Sequence, residues 1–273
     1  MTMLRVTGNL WGRMFRTLNI LIAVLVFCTT AFAGVDFDNA DDVLDCGSAS
    51  SLDDLTALTI AVWANPDSMG EGTLGRFTDK TAQLFLNRTS TSPVTTKSLL
   101  FQLNCATTNI TRHSADNVVV TGEWHHYAVT WSGGTTASTS VKFYKDGVET
   151  SYNATSTNCT GARTSDAANS LLIGNSSGAT RTFDGKIGEV AIWSSELTAA
   201  QIASLVTNTK RMPLQVSKST LVGYWDLLDE EDGSSADGDI FYDGSGSANN
   251  CTGSDGANNT GLTAKAEEVL SYA

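Results

Sequence analysis

The chain has 273 residues, with 17 Lys and Arg against 29 Asp and Glu, a formal charge of −12 and a pI near 4.5. Apolar residues make up 41% and charged residues 17%, enough to bury a core in one large β domain or two ordinary ones. An acidic surface without a Lys/Arg cluster repels phosphodiester backbones and anionic headgroups, which argues against nucleic acid and membrane-surface partners and leaves cations and neutral polar ligands.

Arg5, Arg13 and Arg16 precede the apolar run from Leu18 to Phe27, which ends in Ala31-Phe32-Ala33 before Gly34. A basic flank, a short apolar segment and an A-x-A exit predict a signal peptide over residues 1–33, with translation starting at Met1 or Met14. An anchor helix is the alternative, but the run falls short of the roughly 20 residues a bilayer core requires. The mature chain would be secreted or extracellular, with periplasm or cell surface as variants, and would not insert in a membrane. Removing 33 residues and three arginines leaves 14 Lys and Arg against 29 Asp and Glu, a charge of −15. Cys28 leaves with the signal. Cys46, Cys105, Cys159 and Cys251 remain, an even number in an oxidising compartment, and none has the close C-x-x-C spacing of a zinc site. They allow three disulfide pairings.

From Gly34 onward the periodicity is that of strands: short β-branched and aromatic runs broken by Gly, Asn, Asp and Ser. Strands are expected at Leu58 to Ala64, Ser98 to Asn104, Trp124 to Trp131, Val141 to Lys145, Ser170 to Gly174 and Lys186 to Trp193. In the third, Tyr127, Val129 and Trp131 share one face and Trp124, His126 and Ala128 the other, so both faces are largely covered. Asp146-Gly147 predicts a hairpin turn into Val148 to Thr150. One short helix is expected from Thr198 to Val206, with Thr198 as its cap. A strand resumes at Leu221 to Trp225. A long acidic loop, Asp226 to Gly246, follows it, and residues 253–273 read as a polar tail. Many short strands and one helix indicate an all-β antiparallel sandwich.

The ordered runs G-E-W-H-H-Y-A-V-T-W (Gly122 to Trp131), V-K-F-Y-K-D-G-V (Val141 to Val148), L-L-I-G-N (Leu171 to Asn175), F-D-G-K-I-G-E-V-A-I-W (Phe183 to Trp193) and L-T-A-A-Q-I (Leu197 to Ile202) resemble the laminin G-like jelly-roll family. That family belongs to the concanavalin A-like lectin/glucanase superfamily, which also contains the pentraxins. The N-terminal runs V-D-F-D-N-A-D-D-V-L-D-C and L-T-I-A-V-W-A extend the likeness. The later L-V-G-Y-W-D-L and D-G-S-G-S-A-N-N-C-T-G resemble a strand pair that often opens such domains. The resemblance therefore implies one jelly roll over residues 34–252, with strands from 220–252 permuted into it. In that arrangement Cys46 and Cys251 would lie in neighbouring strands and pair, and Cys105 would pair with Cys159 at loop ends on one side of a sheet. It would also gather Asp36, Asp38 and Asn39 with Asp184, giving Asp38, Asn39 and Asp184 as calcium ligands. Gly188 stands where many relatives carry an acidic residue.

The oxygens of Asp, Asn and backbone carbonyls suit calcium, a hard cation that takes six to eight of them. The Asp226 to Gly246 loop fails the EF-hand template, with Gly233 and Ser235 in place of carboxylates and Gly244 in place of the bidentate Glu. Catalysis finds little support. The E-x-D-x-E pattern of the superfamily's glucanases is absent, Glu189 and Glu196 fall on opposite faces, and no Ser sits in a G-x-S-x-G elbow. His113 is placed in a polar loop, and His125 and His126 are read as packing or hydrogen-bonding residues. Trp63, Trp131 and Trp193 are assigned to the core. Sequons occur at Asn87, Asn109, Asn153, Asn158, Asn175, Asn250 and Asn258. The function expected is a non-enzymatic recognition module that binds a glycan or an extracellular surface protein through rim loops, with calcium as the cofactor. The alternatives are a structural or adhesion component of a cell or virion surface and, more remotely, a glycan hydrolase with an unrecognised site.

Overall fold

The computed structural model describes residues 31–80, 82–87, 90–91, 94–95, 97–207, 212–227, 236–255 and 263–269. The chain divides into two units, 1–29 with 271–273 and 30–270, and every described residue belongs to the second. In chain order its strands are β1 (Ala31–Asp38), β2 (Val43–Asp45), β3 (Leu58–Pro66), β4 (Arg76–Asp79), β5 (Ala82–Asn87), β6 (Ser90–Thr91), β7 (Val94–Thr95), β8 (Ser98–Leu103), β9 (Ile110–Ser114) and β10 (His125–Trp131). There follow β11 (Val141–Lys145), β12 (Val148–Glu149), β13 (Tyr152–Thr157), β14 (Leu172–Ile173), β15 (Asp184–Trp193), β16 (Leu221–Asp226), β17 (Ile240–Phe241), β18 (Cys251–Ser254) and β19 (Thr263–Val269). Two helices, α1 (Ala137–Ser140) and α2 (Ala199–Thr207), interrupt them.

Among the described residues every strand pairing is antiparallel. One sheet runs β12-β11-β10-β3-β15-β1-β19, with β16 also on β15, a second runs β13-β9-β8-β5-β4-β14-β2-β18-β17, and β6 and β7 form a separate two-stranded sheet. Between the first two lies the main core. Val35, Phe37, Ile60, Val62, Tyr127, Val129 and Ile187 from the first sheet meet Leu44, Phe77, Leu99, Phe101, Ile110 and Ile173 from the second. This is a jelly-roll sandwich.

The other face of the first sheet is covered too. Register aligns Tyr144, Ala128, Ala61, Ala191 and Tyr224 in one row across β11, β10, β3, β15 and β16. Three alanines flanked by tyrosines leave a shallow seat, and Ile202 and Leu205 of α2 join them in a second apolar cluster. A capping box starts that helix: the Gln201 amide donates to Thr198 Oγ1 at 3.3 Å and the Thr198 amide to Gln201 Oε1 at 2.9 Å. This double coverage is why β10 lacks a polar face. The tryptophans follow suit: Trp63, Trp131, Trp193 and Trp225 are all buried, and the Trp225 indole donates to the Asn249 carbonyl at 2.8 Å.

Two expectations need revision. The reading of residues 253–273 as a polar tail does not hold, because β18 continues to Ser254 and Thr263–Val269 pair with β1. T-A-K-A-E-E-V has little apolar character, but an exposed β1 edge offers a row of unpaired backbone groups that such a segment can satisfy. His113 lies in β9, not in a loop. The signal-peptide reading falls mostly on residues 1–30, outside the described residues, and Ala31–Ala33 open β1. Among the described residues no helix is long and apolar enough to cross a membrane.

Candidate functional site

The pairing of β2 with β18 aligns Val43 with Ser254, Leu44 with Gly253 and Asp45 with Thr252. Carried one position further at each end, that register sets Cys46 against Cys251 and Asp42 against Asp255. The first pair is a disulfide. The second is two carboxylates directly opposed, an arrangement that costs free energy unless something neutralises it. Asp42 is 0% exposed and Asp255 1%, so water supplies little of that neutralisation. Asp41 completes the group, and one carboxylate oxygen from each of Asp41, Asp42 and Asp255 lies within 4.8 Å of the others.

The turn that carries Asp41 and Asp42 is fixed from several sides. Asp38 Oδ1 accepts the Ala40 amide at 2.9 Å, and Asn39 takes a left-handed φ of 69° while its amide donates to the Phe183 carbonyl at 3.2 Å. From the opposite wall the buried Asn175 side-chain amide donates to the Asp42 carbonyl at 3.2 Å and to Thr182 Oγ1 at 2.8 Å. Thr182 in turn donates to the Ala40 carbonyl at 2.6 Å. Asp42 Oδ2 accepts the Asp38 amide at 2.7 Å, but no N–H or hydroxyl among the described residues reaches Oδ1, whose neighbour is the Asp255 carboxyl. Burial, joined by repulsion from Asp38 and Asp255, pushes the Asp42 carboxyl up to about 8 despite the Asp38 amide. A proton or a cation relieves this site. The donors are hard oxygens only, so the residues fit calcium, and Asp41, Asp42 and Asp255 could hold such an ion.

Asp38 and Asp184 are register partners on β1 and β15 and so lie side by side. Asp38 and Asn39 are exposed at the mouth of the turn, and neither they nor Asp184 belong to the convergent carboxylate group. Sequence reasoning named none of Asp41, Asp42 and Asp255, the last because it fell in the segment read as a tail. The signal available was the register implied by a Cys46–Cys251 bond.

The other candidates are engaged structurally. Glu189 accepts the Tyr224 hydroxyl at 2.6 Å, and Glu196 lies 3.4 Å from Lys142 Nζ. His126 is buried against Trp63 with ring centroids 5.4 Å apart, and burial lowers its imidazole to about 4. His125 Nδ1 sits 2.8 Å from Asp146 Oδ2. Cys105 and Cys159 form the second disulfide. Asp243 accepts the amides of Tyr224, Ser245 and Asn249, which makes it a turn-organising residue within the acidic loop. Residues 228–235 of that loop lie outside the described residues.

The laminin G-like model described as the concanavalin A-like lectin/glucanases superfamily matches residues 38–203. Curated protein sequences give no match. Among solved structures, the chain is similar to a candidate carbohydrate-binding protein from Bacteroides ovatus, with a TM-score of 0.56 and 16% identity over 86% of this chain. The chain spans only 60% of that protein. It is also similar to a heptameric SAP-like pentraxin from Limulus polyphemus, at TM-score 0.48 and 16% identity over 67% of this chain and 85% of that one. A third is domain 4 of an extracellular arabinanase from Geobacillus stearothermophilus, solved with arabinotriose, at TM-score 0.39 and 20% identity over 63% of this chain and 75% of that domain.

Proposed function

Because the chain belongs to the concanavalin A-like lectin/glucanase superfamily, we propose that it is a secreted, non-enzymatic module that recognises glycans and holds calcium at Asp41, Asp42 and Asp255. The observation that carries the reading is the buried, opposed pair Asp42 and Asp255. An acidic protein that removes two facing carboxylates from water leaves a demand for positive charge, and calcium meets it with the oxygen ligands these residues offer. The ion would join the turn after β1 to the end of β18, so its effect would be to fix the ends of the sandwich and the loops they carry. Asp38, Asn39 and Asp184 border the same turn and would stand around this centre. Glycan as the ligand is supported by the likeness to the Bacteroides ovatus protein and by a negative surface that favours neutral polar ligands. The non-enzymatic part rests on Glu189 and Glu196, which are committed to different partners, Tyr224 and Lys142.

A glycan array probed with the mature protein in calcium and again in chelator tests this reading. Saturable, sugar-specific binding is the expected result, with chelator lowering the melting temperature rather than changing which sugars bind. Absence of binding to any glycan would favour a structural or adhesion component, and release of product from a bound polysaccharide would favour a hydrolase.

A further inference from the structure

The strands fix two ends of the sandwich. Gly185 pairs with Pro66 at the end that holds the acidic group, whereas Trp131 pairs with Leu58 and Trp193 with Thr59 at the other. At that second end lies a cavity of about 420 Å³, within the range of about 300 to 1,000 Å³ typical of small-molecule sites. Leu103, Ile110 and Trp131 contribute apolar walls that continue into the main core, while Asp54, Thr135 and Ser165 supply polar groups at the exposed side.

The walls are held in place before any ligand arrives. The Cys105–Cys159 disulfide ties one loop to the end of β8. Gly133 has φ +90°, and a Cβ there would stand 2.3 Å from the Thr56 carbonyl, so that wall tolerates only glycine. Asp54 and Asp166 exchange hydrogen bonds, each side chain accepting the other's amide, at 2.7 and 3.1 Å. The Arg163 guanidinium lies 5.5 Å from the centre of the Trp131 ring and donates to Asp166 Oδ2 at 2.7 Å and to the Leu55 carbonyl.

Resting on the glycan reading above, we propose that this cavity is a sugar subsite that takes the terminal residue of a neutral oligosaccharide. A pyranose or furanose ring is amphipathic, with C–H faces suited to Leu103, Ile110 and Trp131 and hydroxyls suited to the carboxylate and hydroxyls at the mouth. Hydrogen bonds from the Ser165 hydroxyl and the Asp166 amide hold the Asp54 carboxyl below its usual range, so it meets the ligand as an acceptor of sugar hydroxyls. Neutral rather than anionic sugars follow from the same group. Asp54 would repel a uronate or sialate, and the one guanidinium lining the cavity is already engaged by Asp166 and Leu55. A chain end rather than an internal unit follows from walls that merge with the core.

The test compares three forms of the mature protein in calcium on an array carrying neutral, uronate-containing and sialylated oligosaccharides. Thr135→Trp places an indole at the mouth from an exposed position, and Asp54→Asn keeps an oxygen acceptor and a residue that tolerates the left-handed φ of 47° seen at Asp54. Expected is binding of neutral glycans by the parent, loss of binding in Thr135→Trp and weakening by about tenfold or less in Asp54→Asn. Melting temperatures of both variants should match the parent, which separates a blocked site from a damaged fold. Parent binding that survives Thr135→Trp would overturn the subsite while leaving glycan recognition intact, as would a preference for uronates or sialates. A parent that binds no glycan would overturn the recognition reading itself, and the subsite with it.

Discussion

Asp42 and Asp54 are the same residue type at opposite ends of one sandwich, and the fold treats them in opposite ways. Asp42 is fully buried, faces Asp255 and is pushed up to about 8 by burial first and by its carboxylate neighbours next. Asp54 is exposed, accepts the Ser165 hydroxyl and the Asp166 amide, and is lowered by them. Donor groups complete one carboxylate, while the other waits for a proton or a cation. The acidic end is therefore where conditions outside the protein should change its stability, and the cavity end is where they should change what it binds.

The largest effect should come from the rung that shares a ladder with Asp42. The Cys46–Cys251 bond spans 205 residues and the Cys105–Cys159 bond 54. In the chain-entropy model these loops correspond to roughly 5 and 4 kcal/mol. Cys251→Ser should thus cost about as much as a whole domain of marginal stability can lose, and Cys159→Ser somewhat less, as read by urea unfolding of each variant. Equal losses would show that strain or denatured-state structure, not loop length, sets the difference.

Calcium should come next. Binding only to the folded state at 100 times its Kd adds about 2.7 kcal/mol, a rise of about 5 to 10 °C in Tm for a chain of this size. Asp42→Asn and Asp255→Asn should each abolish that rise. Asp184→Ala should leave most of it, and its complete loss in Asp184→Ala with retention in Asp255→Asn would move the ion to Asp38, Asn39 and Asp184.

A smaller, pH-dependent effect follows in chelator. Asp42 keeps its proton in the folded state up to about 8, whereas the unfolded chain releases it near 3.8, so this group's contribution falls as pH rises across that interval. His126 works in the other direction: its folded value is about 4 against 6.5 unfolded, so its contribution is present above 6.5 and is lost as pH falls toward 4. The two oppose each other below 6.5, and above it Asp42 acts alone. Melting temperature in chelator should therefore decline between pH 6.5 and 8, and Asp42→Asn should remove the decline. In calcium that decline should flatten, because the ion takes the proton's place and the bound form has no proton left to lose.

How much of this was readable in the sequence depended on whether a contact leaves a local pattern. The strands at Val141–Lys145, His125–Trp131 and Asp184–Trp193 showed themselves through apolar and aromatic runs, and α2 through Thr198 and the spacing of its apolar residues. β9 did not, because Arg112 occupies an inward position with its guanidinium 4.1 Å from the centre of the Tyr152 ring, which hides the apolar alternation. β19 did not either, since its place is set by pairing with the edge of β1. The Asp42–Asp255 contact was the least visible. It joins strands far apart in the chain, and only the register of β2 on β18 brings the two residues opposite each other.

The smallest expected effect is also the sharpest contrast. Asp54→Asn keeps an oxygen that can accept the Ser165 hydroxyl or the Asp166 amide, and it removes a charge that is exposed to water. Neither change leaves a buried group unsatisfied, so the variant should unfold with the parent at neutral pH in calcium and in chelator alike. The lowered carboxyl adds its stability above the unfolded value of 3.8 and loses it as pH falls through the folded value, so the charge's contribution, small for a fully exposed group, belongs at neutral pH and parent and variant converge below about pH 4. Asp42→Asn makes the same replacement at a carboxyl that without an ion stays protonated up to about 8, and should change both the calcium response and the slope above pH 6.5. Should Asp54→Asn instead alter the calcium-dependent Tm, the two ends of the sandwich would be coupled through the sheets, and their separation into a stabilising centre and a binding cavity would fail.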